Sequence, residues 1–87
     1  MTDEAKIEFP CDYPVKVIVE VQEGVVEDII SIVQQHDARI TADKVTQNPS
    51  KNGKYTSVRF MLWATGTPQL DSLFTDLKKC ELVRMVL

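Results

Sequence analysis

Residues 48–60 read NPSKNGKYTSVRF, and the fold depends on whether Gly53-Lys54 cradles a phosphate or reverses the chain. A Walker-type loop needs glycine, four residues, then glycine-lysine followed by serine or threonine, on a path from a strand into a helix. Here Asn48 stands where the first glycine is required, and Tyr55 follows Lys54. From Tyr55 onward the residues alternate, with Val58, Phe60, Leu62 and Ala64 on one side and Tyr55, Ser57, Arg59, Met61 and Trp63 on the other. That period of two predicts a strand as far as Thr65. No helix N-terminus then points amides at an anion. Asn52-Gly53 is the dipeptide suited to a hairpin, with proline and serine beside it. The segment is a turn, and Lys44, Lys51 and Lys54 around its tip are either simply solvated, the default, or meet an anionic partner.

Upstream, PVKVIVEVQ (14–22) places Val15, Val17, Val19 and Val21 on one face and Lys16, Ile18, Glu20 and Gln22 on the other, again a strand. After Gly24, VVEDIISIVQQH repeats its apolar residues at three and four. This predicts an amphipathic helix with Gly24 as N-cap and Glu27 and Asp28 favourably placed in its first turn. A second strand is expected between roughly Arg39 and Gln47. Downstream, GTPQLDSLFTDLKKC predicts a second helix, capped by Thr67, with Pro68 at its first position and Leu70, Leu73, Phe74 and Leu77 as its buried stripe. The terminal LVRMVL is a short strand.

The order strand, helix, strand, strand, helix, strand joins two right-handed βαβ units through the hairpin. The expected architecture is α+β: a ferredoxin-like βαββαβ sandwich, with a four-stranded antiparallel sheet and two helices on one face. The fourth strand lies beside the first, the first beside the third, and the third beside the second. Residues 1–12 form an N-terminal arm, and 13–87 a single domain, the only one that 87 residues allow.

The net charge of −3 and sequence pI near 5.0 argue against a dedicated nucleic-acid binder. The polar N-terminus lacks the apolar run of a signal peptide, and no apolar stretch approaches a membrane span. A cytoplasmic protein without membrane association is expected. Cys11 and Cys80 have neither zinc nor CxxC spacing. The topology sets them at opposite ends of the sheet, about eight residues of roughly 3.3 Å each apart, so two free thiols are expected. No metal site and no cofactor are expected.

Three surfaces are candidates for function. VEVQEGVVEDIISIVQQH, with Glu23-Gly24 before the first helix, resembles the pattern of amino-acid-sensing ACT domains of this fold, whose ligand sits beside such a turn at a dimer interface. A backbone role alone for the glycine stays open. The open sheet face carries Lys16, Ile18 and Glu20, then Arg59, Met61 and Trp63, then Arg84 and Val86. It is either an interaction surface, with Ile18, Arg59, Met61, Trp63 and Arg84 as its candidate residues, or is covered by the arm, with Phe9 over Trp63. RNA-recognition domains stack bases on this face from aromatics two residues apart. Here Tyr55 matches the first aromatic, but Ser57 stands at the second and Lys54 replaces the usual glycine, so RNA binding is not expected. The flat terminal strand is the third surface: either an edge open to homodimerisation or, being short and terminal, a strand that simply packs on the core. His36, the single histidine, has no serine or cysteine near it in sequence, and catalysis is not expected.

FPCDYPVKV leading into the first strand, NPSKNGKYTSV across the hairpin and the terminal VRMVL resemble the YbeD-like family of small bacterial proteins. The resemblance runs from about Glu8 to Leu87. It implies an ACT-like fold and a regulatory role in a metabolic setting. It carries over no active site; Pro49, Ser50, Gly53, Tyr55, Arg84 and Met85 are the matched positions. Two roles stay open: a non-enzymatic regulatory module binding a small metabolite or a partner protein, and a protein-interaction module using the open face.

Overall fold

The computed structural model describes residues 8–87. Its elements are β1 (Cys11–Glu20), α1 (Val25–Gln34), a 3-10 turn (Ala42–Lys44), β2 (Thr46–Pro49), β3 (Tyr55–Ala64), α2 (Thr67–Lys78) and β4 (Val83–Val86). The strands form one sheet in the order β2-β3-β1-β4, and every neighbouring pair is antiparallel. This is the ferredoxin-like βαββαβ sandwich that the hydrophobic periods predict.

The core lies between the sheet and the helices. Val15, Val17 and Val19 of β1 and Val58, Phe60, Leu62 and Ala64 of β3 supply the sheet side, because alternate residues of a strand share a face. Val25, Ile29 and Val33 of α1 and Leu70, Leu73 and Leu77 of α2 supply the helix side, spaced at three and four. Phe9, Cys11 and Tyr13 pack against the same cluster. Phe9 therefore lies on the core side and does not cover Trp63. Residues 1–7 of the expected arm lie outside the described residues, and its last two residues, Cys11 and Asp12, already pair with Ala64 and Trp63 inside the sheet.

Four local expectations are corrected. The second strand is not at Arg39–Gln47 but at Thr46–Pro49. The chain before it is pinned instead: Ile40 is buried, Asp37 bonds to Trp63, and the Lys44 amide donates to Thr41 O at 2.9 Å, so residues 39–45 cross to the sheet without pairing. Val21 is 53% exposed, since β1 ends at Glu20 and no longer sets its side-chain direction. Helix α2 takes in Thr67 itself, with extended Gly66 as its cap. No side chain caps the helix start; Gln69 in the first turn instead reaches back past the cap, its Oε1 accepting from the Thr65 amide at 2.7 Å. Lastly, Val86 faces the core and Met85 the open side. Val17 opposes Val86, Ile18 opposes Met85 and Val19 opposes Val83. Arg84 is the extra residue of a bulge, and a bulge resets the alternation.

Candidate functional site

The hairpin is built by its own side chains. Ser50 Oγ donates to Asn52 Oδ1 at 2.9 Å and accepts from the Tyr55 amide at 3.1 Å. Asn52 Oδ1 also accepts from the Lys54 amide at 3.0 Å, and the Gly53 amide donates to Ser50 O at 3.0 Å. The amides of Gly53, Lys54 and Tyr55, which a phosphate loop would turn outward, are all engaged within the turn. Gly53 has φ +72°, the left-handed conformation that Asn-Gly turns require. Pro49 closes β2 opposite Thr56, on an edge strand where a missing N–H is tolerated.

At the other candidate turn, Gly24 has φ +83° and caps α1 without a side-chain bond. The first helical bond runs from the Asp28 amide to Gly24 O at 3.0 Å, which leaves the Val26 and Glu27 amides as the orphan donors of a helix start. Both residues line a cavity of 310 Å³, together with Val21, Gln22, Gly24 and Val25 on one side and Gln47, Pro49 and Thr56 on the other. Glu23 is exposed beside it. The exposed Val21 side chain is explained here, as one wall of this cavity.

On the open face the register aligns Asp12, Pro14, Lys16, Ile18 and Glu20 of β1 with Trp63, Met61, Arg59, Ser57 and Tyr55 of β3. Met85 joins them across Ile18. Ile18, Arg59, Met61, Trp63 and Arg84 thus share one side of the sheet, but not equally. Arg84 is ion-paired with Glu20. The Arg39 guanidinium sits 5.4 Å from the centre of the Trp63 ring, and Lys54 Nζ 5.7 Å from that of Tyr55, so both aromatics already carry a cation. Asp37 holds the first of these arrangements. Its Oδ2 accepts from the Trp63 amide at 3.0 Å, and its Oδ1 from the Arg39 amide at 3.1 Å and Arg39 Nε at 3.3 Å. Burial pushes the Asp37 carboxyl up, but these donors and the Arg39 charge outweigh it and hold the group below the usual carboxylate range.

A family model described as "Protein of unknown function (DUF493)" matches residues 4–87. The chain belongs to this family. It is 42% identical over 91 residues to a UPF0250 protein of Hahella chejuensis, with both chains fully covered. It is 45% identical over 83 residues to one of Pseudomonas fluorescens, covering 94% of this chain and 90% of the other. The YbeD-like resemblance of the three sequence motifs is to this same family. Among solved structures, protein HP0495 of H. pylori superposes with a TM-score of 0.77 at 18% identity, covering 99% of this chain and 90% of that one. The ACT domain of the GTP pyrophosphokinase of Chlorobium tepidum superposes at 0.66 and 20% identity, covering 87% and 84%. Both likenesses concern the fold, which is ACT-like.

Of the family-matched hairpin positions, Ser50, Gly53 and Tyr55 are explained by the turn's hydrogen bonds. The pairing of His36 with Asp76 is the site feature that sequence reasoning missed. His36 Nε2 hydrogen-bonds Asp76 Oδ2 at 2.7 Å across the two helices, and Lys79 stands 3.7 Å from the other Asp76 oxygen. Asp76 is 40 residues away in the chain, and no local signal links the two. Ser72 and Thr75 line the adjoining cavity, yet among the described residues neither hydroxyl bonds to His36. The described residues hold no cluster of three potential metal ligands, and none of their helices is long and apolar enough to cross a membrane. Cys11 and Cys80 stand at opposite ends of β1, the first pairing with Ala64 and the second preceding Leu82, whose carbonyl bonds the Glu20 amide.

Proposed function

We propose that the chain is a non-enzymatic, ACT-like regulatory module whose ligand is a small zwitterionic metabolite, such as an amino acid, held at the β1–α1 turn. The observation that carries this is the 310 Å³ cavity beside Gly24, a size suited to a small molecule. The Val26 and Glu27 amides supply donors for a carboxylate at the helix start. The carboxylates of Glu23 and Glu27 supply the complementary charge for an ammonium group. Val21, Val25 and Val26 give an apolar wall for a side chain. Against an enzymatic role, the one histidine has its Nε2 tied to Asp76, which leaves that nitrogen no free position from which to serve a nucleophile.

The test is a two-dimensional amide NMR titration of the labelled protein with pooled amino acids. Saturable shifts confined to Glu23–Asp28 and their cavity neighbours are expected. Silence there at millimolar ligand overturns the assignment.

A further inference from the structure

A larger concavity than the one beside Gly24 lies elsewhere. A shallow groove of 540 Å³ lies on the open sheet face, its walls set by Lys16, Lys44 and Arg59 and its apolar surface by Pro14, Met61 and Leu87. Lys16 exchanges both of its backbone hydrogen bonds with Leu87, at 3.1 and 2.8 Å. Its polar groups therefore point away from β3, and Lys16 and Arg59, directly opposite one another, form a pair of the non-hydrogen-bonded kind. Such pairs bring side chains closest, and like charges so placed repel. Among the described residues no ion pair includes Lys16, Lys44 or Arg59, although the chain as a whole is net acidic. Arg84 and Arg39, the other arginines near this face, both have carboxylate partners. Lys16 and Arg59 without an ion-paired carboxylate, and Lys44 with only its chain neighbour Asp43 beside it, ring an apolar floor, a charge arrangement that suits an external anion.

We infer that this groove docks an acidic segment of a partner protein, an extended peptide that places carboxylates against Lys16, Lys44 and Arg59 and a large aliphatic side chain against Met61 and Leu87. The cations occupy three neighbouring strand lanes: β1, β3 and the approach to β2. At about 4.8 Å per lane they span roughly 10 Å. Successive carboxylates about 7 Å apart on an extended peptide reach cations spread over that width, whereas a single small anion meets only the nearest of them. Nucleic acid fits the same charges but not the same surface. Base stacking needs free aromatic faces, and both aromatics of this face are already under a cation. Asp12, beyond Pro14 and opposite Trp63, gives the groove an acidic end and so sets where the peptide's carboxylates stop. The assignment is independent of any ligand at Gly24, which lines a different cavity.

The probe is a blocked peptide of alternating glutamate and leucine, titrated into the labelled full chain. Parallel arms use its glutamine-leucine counterpart, an oligouridylate and inorganic phosphate. Saturable shifts of Lys16, Lys44, Met61 and Leu87 amides are expected with the acidic peptide alone, weakening as ionic strength rises from about 0.05 to about 0.5 M. Lys16→Glu and Arg59→Glu should each weaken binding about tenfold or more. Lys44→Glu, outside the strands, does the same without touching the sheet. Equal binding of the glutamine peptide, tighter binding of the oligouridylate, saturation by phosphate, or indifference to all three reversals would each overturn the assignment. Shifts at Gly24 are read separately in the same spectra, so the two sites fail or stand apart.

Discussion

At Gly53 the chain needs a conformation rather than a contact. A methyl group placed there meets nothing within 4 Å, but φ is +72°, where an L side chain crowds its own backbone at a cost of about 1–2 kcal/mol. Gly53→Ala is therefore expected to lower the melting temperature by about 4–8 °C, the shift that about 1 kcal/mol produces in a domain of this size. Gly53→Asn should cost less, since asparagine tolerates the left-handed region. Thermal scans of the two variants check the ranking; equal losses would mean that something other than φ limits the turn. Gly24 poses the same backbone demand at φ +83° with open space around it, so its presence there is accounted for by the turn even before any ligand is considered.

Between elements, Asp37 is the joint to test. It ties the exit of α1 to the far end of β3 and to Arg39 at once. Its carboxyl is held below its ordinary value by donors that outweigh its burial, so the sign follows directly. A depressed folded pKa contributes stability that is present above the unfolded value of about 3.9 and is lost as pH falls through the folded one. Asp37→Asn should therefore be less stable than the parent near neutrality, by about 1–3 kcal/mol for the weakened charged hydrogen bonds. The gap should close in acid. Urea midpoints at a series of pH values decide it, and a gap that stays constant with pH would sink the account. This joint also shows where sequence reading stops. Alternation in β1 and β3 and the three-and-four spacing in α1 and α2 are local and were legible, and with them the fold. Residues 39–45 read as a poor strand because Ile40 and Val45 are apolar, but they are anchors of a crossing segment held by a partner in β3. The bulge at Arg84 left no glycine to mark it, and Gln69 and Asp76 work through contacts that chain order does not announce. Gly24 was legible as a turn, and the Gly53 hairpin with it. The cation groove was not, because Lys44 joins Lys16 and Arg59 only after β2 shifts toward Pro49.

Across the whole molecule the two sides of the sheet are under opposite demands. The helix side is closed and apolar: Leu62 and Leu73 are fully buried, and truncating either to alanine should cost about 2–5 kcal/mol. That is a large share of the 5–15 kcal/mol typical of a folded domain. The open side instead sets Lys16 against Arg59, a choice that works against the fold. Lys16→Glu replaces that repulsion with an opposite-charge cross-strand pair and should raise stability by about 0.2–1 kcal/mol, read as a higher urea midpoint at unchanged slope. The gain should shrink in high salt. A surface that becomes more stable while it loses the acidic peptide is one whose charges are kept for a partner. A Lys16→Glu chain no more stable than the parent would refute the account of these cations as a surface kept charged at the fold's expense.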